Sequence, residues 1–290
     1  MSELAFLHGE TVAATLHTAR AALAHLPSAR LDAELLLAIV LGSDRVGLLR
    51  EPQRQLSADE RPRCHTLVAA RARGTPLAYL RGHQEFWSLE FSVNADVLVP
   101  RSETEDLVAL ALSKLQSIPQ PRIADLGTGT GAIAVALASE RRDATLVAVE
   151  RDPAALRVAC RNVAHHQRQN VVLLQADWAS AMRERTFDVI VANPPYVCDG
   201  DPALLGDGLC CEPRAALAAG PDGLAALRVI AASAPRALRQ GGWLLLEHGA
   251  RQASAVRELL ICAGLVKIST RPDLAGLDRV TMGQREHCDG

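Results

Sequence analysis

Lysine is almost absent from this 290-residue chain: Lys114 and Lys267 are the only two, and arginine carries the remaining positive charge. That bias, together with the abundance of alanine, reads as genome base composition and not as function. Net charge is also nearly absent, at −2, so no global field pulls the chain toward nucleic acid or a membrane surface. No stretch approaches the ~20 unbroken apolar residues of a membrane helix. Residues 1–10 lack the basic start and apolar run of a secretory signal, so no export is expected. Cys-x-x-Cys is missing as well. The seven cysteines (Cys64, Cys160, Cys198, Cys210, Cys211, Cys262 and Cys288) are odd in number and two are adjacent. This argues against a disulfide framework or a zinc site and for reduced thiols in a cytoplasm. What is present, 49% hydrophobic and 22% charged residues, describes a globular, soluble chain with a sizeable core.

The N-terminal part reads as a small helical domain over residues 1–75. Val12, Leu16, Leu23 and Leu26 fall at helical spacing in residues 11–26. A second helix runs from Arg30 to Leu41, with Asp32 and Glu34 in its first turn and Gly42 as its C′ residue. A third begins at Ser57 with a capping box to Glu60 and stops at Gly74. Arg50, Arg54, Arg61, Arg63, Arg71, Arg73 and Arg81 make this region basic. They form either a solvated face or a docking surface for an acidic or RNA-bearing partner.

Residues 76–100 read as a linker. Phe86 to Val93 alternates at strand period, and with Val97-Leu98-Val99 it predicts a β-hairpin. Ser102 and Glu105 suggest another capping box. From residue 101 to 290, strands alternate with helices. The strands are Ile123–Leu126, Leu146–Glu150, Val171–Leu174, Phe187–Ala192 and Gly242–Glu247; helices are Ala132–Ser139, Pro153–His165, Leu224–Leu238 and Ala253–Ala263. The prediction is a Rossmann-like, doubly wound α/β sheet. Val266–Thr270 and Arg279–Gly283 are too close for a helical crossover, so the last strand should be antiparallel.

Three stretches lie at the carboxyl ends of strands, where such sheets bind ligands. Asp125-Leu126 leads into Gly127-Thr128-Gly129-Thr130-Gly131, a G-x-G-x-G loop that differs from the dinucleotide fingerprint and from a P-loop. An acid at Asp125 can bind an ammonium or a loop amide, and Glu150 can accept from both hydroxyls of a ribose. A ligand with a ribose and a cation fits S-adenosyl-L-methionine better than a nicotinamide dinucleotide. Asp177 can bind an adenine amino group and Trp178 can lie against the ring, or else pack in the core. Asn193-Pro194-Pro195-Tyr196 ends the fourth strand, because prolines cannot continue a ladder. It is either a strand-ending turn or a stiff grip for a planar, nitrogen-bearing group.

The chain resembles class I S-adenosylmethionine-dependent methyltransferases and, more closely, bacterial release factor glutamine N5-methyltransferases, the PrmC or HemK family. The resemblance rests on Tyr79 to Gly82, Pro100 to Glu105, Asp125 to Gly131, Asn193 to Tyr196, Glu212-Pro213, Glu247 to Gly249 and Asp273 to Val280, together with the N-terminal helical domain. It implies a seven-stranded sheet with S-adenosyl-L-methionine as cofactor. Gly127 to Gly131 would line its methionine moiety, Glu150 would hold the ribose and Trp178 would flank the adenine. Asn193, Pro194, Pro195 and Tyr196 would bind a glutamine side chain, with Asn193 touching the cofactor too. The family often has Asp where this chain has Glu150.

The reaction implied is methyl transfer to the glutamine amide nitrogen of the Gly-Gly-Gln motif in class I peptide chain release factors. In it, the Asn193 oxygen and the Pro194 carbonyl would accept the two amide hydrogens, and Tyr196 would pack on the amide plane. Rival readings are a ribosomal-protein glutamine methyltransferase, a nucleic-acid amino methyltransferase and a non-catalytic scaffold. The absence of a long target-recognition insertion and the charge of −2 disfavour direct DNA binding. No metal and no membrane partner are expected, and the chain reads as a monomer.

Overall fold

The computed structural model describes residues 11–206 and 208–286. The readings made on residues 1–10 and on Cys288 lie outside the described residues. The chain divides into two compact units, one of residues up to Gly82 with Leu205–Cys211, the other of His83–Leu204 and the residues from Glu212 onward.

The first unit is helical: α1 (Val12–Ala22), α2 (Ala29–Leu41), α3 (Arg45–Arg50), α4 (Glu60–Ala72) and α5 (Leu77–Arg81). Leu23, Leu36, Leu37 and Val68 are fully buried between them. Thr11 caps α1, its hydroxyl accepting from the Ala14 N–H at 3.3 Å. Gly42 ends α2 in the left-handed region at φ 58°. The Ser57–Glu60 box forms in both directions, at 2.8 and 3.2 Å. α3 and α5 escape a reading by periodicity because neither is two turns long. The basic face is smaller than the sequence suggested: Arg71 is buried and bonded to Asp32 at 2.7 Å. Arg54 is taken up by Glu60 at 2.7 Å.

The second unit opens with a hairpin, β1 (His83–Phe86) and β2 (Leu89–Ser92). This corrects the expected pairing of residues 86–93 with 97–99. The turn is Trp87-Ser88, both at positive φ (55° and 54°). It lacks the Asn-Gly or Asp-Gly that marks such turns in a sequence. Next come α6 (Thr104–Leu115), β3 (Arg122–Leu126), α7 (Ala132–Glu140), β4 (Thr145–Glu150), α8 (Pro153–His165), β5 (Val171–Gln175) and β6 (Phe187–Ala192). They are followed by α9 (Ala225–Ser233), β7 (Leu238–Glu247), α10 (Ala253–Cys262), β8 (Leu265–Pro272) and β9 (Asp278–Arg285).

The Ser102–Glu105 capping box does not form. Ser102 turns to the Glu103 carboxylate, and Glu105 instead accepts from the Trp87 N–H at 2.7 Å, tying α6 to the hairpin. The helix expected over 224–238 ends as α9 and passes into a 3₁₀ turn, Ala234–Ala237, where Pro235 has no N–H to give.

The sheet has seven strands in the order β5-β4-β3-β6-β7-β9-β8. Pairings from β5 to β7 are parallel, and β9 is antiparallel to both its neighbours. Every residue of β6 is buried, as its apolar run required. The chain leaves β3 for β4 on one side and returns through β6 on the other, so a crevice opens at their carboxyl ends. Among the described residues, no helix is long and apolar enough to cross a membrane, and no group of three metal-ligating side chains gathers.

Candidate active site

The glycine loop follows β3 directly. Gly127 and Thr128 donate their N–H groups to the Val149 carbonyl at 2.8 and 2.9 Å, folding the loop back over β4. Glu150, at the end of β4, accepts from the Gly129 N–H at 3.0 Å and from the Asp152 N–H at 2.9 Å. Each carboxylate oxygen therefore keeps a further acceptor site. Asp125 lies beneath the loop, fully buried, and takes the Thr128 hydroxyl at 2.5 Å. Burial pushes its carboxyl up to about 7. It binds the loop rather than facing a ligand.

Above the loop is a cavity of about 620 Å³. Of the residues singled out in the sequence, Gly127, Thr128, Gly129, Thr130, Glu150, Asp177, Trp178, Asn193 and Pro195 line it. Gly131, Pro194 and Tyr196 are not on its wall. Gly131, at φ 82°, starts α7 against Ala159. The Trp178 indole covers Gly127 so closely that a Cβ there would come 2.9 Å from a ring atom. Trp178 is thus packed against the loop and at the same time lines the cavity. At Gly129 a Cβ would meet nothing within 4 Å, which leaves bare backbone beside the cavity.

The Asn193 amide donates through Nδ2 to the Thr104 hydroxyl at 3.0 Å. Pro194 is buried. Tyr196 is anchored at its carbonyl by Gln252 Nε2 at 3.0 Å, and its hydroxyl lies 3.5 Å from Glu247. Burial, then the Glu247 charge, pushes the Tyr196 phenol up to about 12. Glu247, at the end of β7, is itself buried and raised to about 7 by burial.

A family model described as the methyltransferase small domain matches residues 103–220, and one described as the PrmC N-terminal domain matches residues 14–82. A release factor glutamine methyltransferase of Xylella fastidiosa (strain Temecula1 / ATCC 700964) is 48% identical over 255 residues, 88% of this chain and 93% of that protein. The Escherichia coli (strain K12) protein of the same name is 44% identical over 257 residues, covering 89% and 92%. The chain belongs to the release factor glutamine methyltransferase family. Among solved structures, the hMettl16 catalytic domain superposes with TM-score 0.58 at 16% identity, over 83% of this chain and 85% of that one, a likeness of fold.

In this methyltransferase several site residues carry no signal that periodicity could reveal. Thr104 lies 89 positions from Asn193, and its tie to that residue is visible only in the contact. Arg101 binds the buried Glu212 carboxylate, which also accepts from the Val99 N–H at 3.0 Å. That pair clasps the segment before α6 to the loop following β6. Pro213 and alanines between 215 and 226 complete the cavity wall. The resemblance had marked Pro100 to Glu105 and Glu212-Pro213 without giving them a task.

Proposed function

We propose that this methyltransferase transfers the methyl group of S-adenosyl-L-methionine to the side-chain amide nitrogen of the Gly-Gly-Gln glutamine in class I peptide chain release factors. The observation that carries the reading is one cavity with both halves of the chemistry on its wall. The glycine loop and Glu150 stand on one side and Asn193 on another.

The wall fits the cofactor. Bare backbone at Gly129 allows close approach. Glu150 retains an acceptor site on each oxygen for ribose hydroxyls, and being longer than the usual Asp it still reaches the Gly129 N–H. Trp178 offers an indole face, with Asp177 beside it. When bound, S-adenosyl-L-methionine supplies a methyl group activated on a sulfonium sulfur.

The chain's own work is on the acceptor. An amide nitrogen is a poor nucleophile because its lone pair is delocalised into the carbonyl. The Asn193 oxygen, on the cavity wall, accepts one of its two hydrogens, which orients the nitrogen and stabilises positive charge developing on it. Tyr196 holds the end of the loop through Gln252 and Glu247. Orientation of this kind supplies roughly 7–11 kcal/mol in well-aligned reactions. No covalent nucleophile is required.

The chain acts as a monomer in the cytoplasm, on a protein and not on DNA. The net charge of −2 and the free thiols of the described cysteines support this reading. The test is to incubate the protein with methyl-labelled cofactor and, in parallel, a purified class I release factor, ribosomal proteins and nucleic acid, then map the label by mass spectrometry. Methylation of the Gly-Gly-Gln glutamine is expected. Label confined to a ribosomal protein or to nucleic acid overturns the assignment.

A further inference from the structure

We infer that Asn162 is a positioning residue for the cofactor: its side-chain amide fixes the last peptide of the glycine loop and ties it to the hairpin. The inference rests on the reading of Gly127 to Gly131 as the cradle of the methionine moiety.

Asn162 stands out first by where it sits. Ala155, Val158 and Ala159 form the buried stripe of α8, and Asn162 takes the next position of that stripe, in the i, i+3, i+4, i+7 pattern. An apolar side chain would serve packing there. Asn is a weak helix former and is only 1% exposed here, so its amide must find partners inside the protein. It finds three. Nδ2 donates to the Thr130 carbonyl at 2.8 Å and to the Ser92 carbonyl at 3.0 Å, and Oδ1 accepts from the Ser92 N–H at 2.8 Å. Turned over, the amide would set its oxygen against two carbonyls and its NH2 against an N–H, so one orientation alone satisfies it.

The two arms of this contact hold different walls. Ser92 closes β2, and among the described residues β1 and β2 form a sheet of two strands. Asn162 meets both backbone groups of Ser92 as a neighbouring strand would. His166, four residues on and on the same face of α8, meets the Glu90 carbonyl at 2.8 Å. The hairpin is thereby held on α8, with Phe86, at the end of β1, on the cavity wall. The other arm reaches the loop. The peptide joining Thr130 to Gly131 gives its N–H to the Thr128 carbonyl at 2.8 Å and its own carbonyl to Asn162. Gly131 sits at φ 82° and has no side chain to resist rotation of that peptide. With both ends held the plane is fixed; without Asn162 its carbonyl end is released. Thr130 lines the cavity, so a turn of this peptide moves the wall that the cradle reading sets against the methionine moiety. A misplacement of about 1 Å between reacting groups costs about 10²-fold in rate.

The test titrates two probes, S-adenosyl-L-methionine and adenosine, into the full chain by calorimetry. Adenosine shares the Glu150 and Trp178 wall but lacks the part that the loop would hold. Asn162→Ala should weaken S-adenosyl-L-methionine binding roughly 5- to 30-fold, because fixing one backbone residue is deferred to the binding step. Adenosine binding should stay at its wild-type value. His166→Ala loosens the hairpin without touching the loop, and should keep the ratio of the two affinities as in wild type. A loss of both probes in parallel in Asn162→Ala, which is what a merely structural role would give, overturns the inference, and so does a loss of neither. Equal wild-type affinity for the two probes would instead overturn the cradle reading, and the inference with it. If circular dichroism shows Asn162→Ala to be unfolded, the wild type is read by amide hydrogen exchange without cofactor. A protected Gly131 N–H then upholds the fixed peptide, and free exchange overturns it.

Discussion

Gly127→Ala probes the junction of loop and indole on which the cofactor wall depends. Gly127 sits at φ 74°, in the left-handed region, where an L-residue costs roughly 1–2 kcal/mol. An added Cβ would also stand 2.9 Å from the Trp178 ring, well inside an ordinary contact. Trp178 is packed against the apolar cluster beneath β6 and β7, so moving the ring aside means twisting its side-chain torsions against that packing. That displacement costs about 0.5–1.5 kcal/mol. Together the two effects predict a loss of roughly 1.5–3.5 kcal/mol from the second unit, with weaker cofactor binding as the ring moves. The assay is thermal and urea unfolding of the variant, with calorimetric titration of S-adenosyl-L-methionine. The two contributions separate in a Trp178→Ala background, where strain remains and the clash does not. Gly127→Ala should cost about 0.5–1.5 kcal/mol less there. An equal cost in both backgrounds, or a loss below about 0.5 kcal/mol in wild type, would refute the reasoning.

Other parts of the structure make their own predictions. Arg101→Ala leaves the Glu212 carboxylate buried without its cation, so the segment 197–220 should become the first site cut in limited proteolysis. Arg71→Ala strands Asp32 with, among the described residues, only the Ser28 hydroxyl at 2.8 Å as side-chain partner and should cost the helical unit about 3–5 kcal/mol, read by urea unfolding. Asp125 is raised from its ordinary 3.8 to about 7, so between those values the folded chain holds a proton that the unfolded chain has released. Its contribution to stability therefore falls as pH rises across that window. Asp125→Asn should flatten the slope there, and an unchanged slope would remove Asp125 as its source.

Legibility in the sequence followed the range of the forces involved. β6 was readable because it is apolar throughout and ends at two prolines, a wholly local pattern. The Ser57–Glu60 box was equally local and formed as expected. An identical spacing at Ser102 and Glu105 failed, because the hairpin offers Glu105 the Trp87 N–H, a partner from outside the helix. The Trp87-Ser88 turn was hidden for the converse reason. Its positive φ angles are imposed by the strands it joins and not by the residues themselves. Among site residues, the glycine loop, Glu150 and Asn193 were legible as strand-end chemistry. Thr104 and Glu247 were quoted within motifs, but their contacts with Asn193 and Tyr196 appear only where α6 and β7 meet that loop.

The claim that Asn193 holds the acceptor amide is tested most directly by single-turnover methylation of a release factor by Asn193→Ala, alongside a titration of the cofactor. The methyl-transfer rate should fall roughly 10²- to 10³-fold, the scale set by removing one group that stabilises a transition-state charge. Cofactor affinity should weaken far less. A variant that methylates the Gly-Gly-Gln glutamine at the wild-type rate would contradict the account.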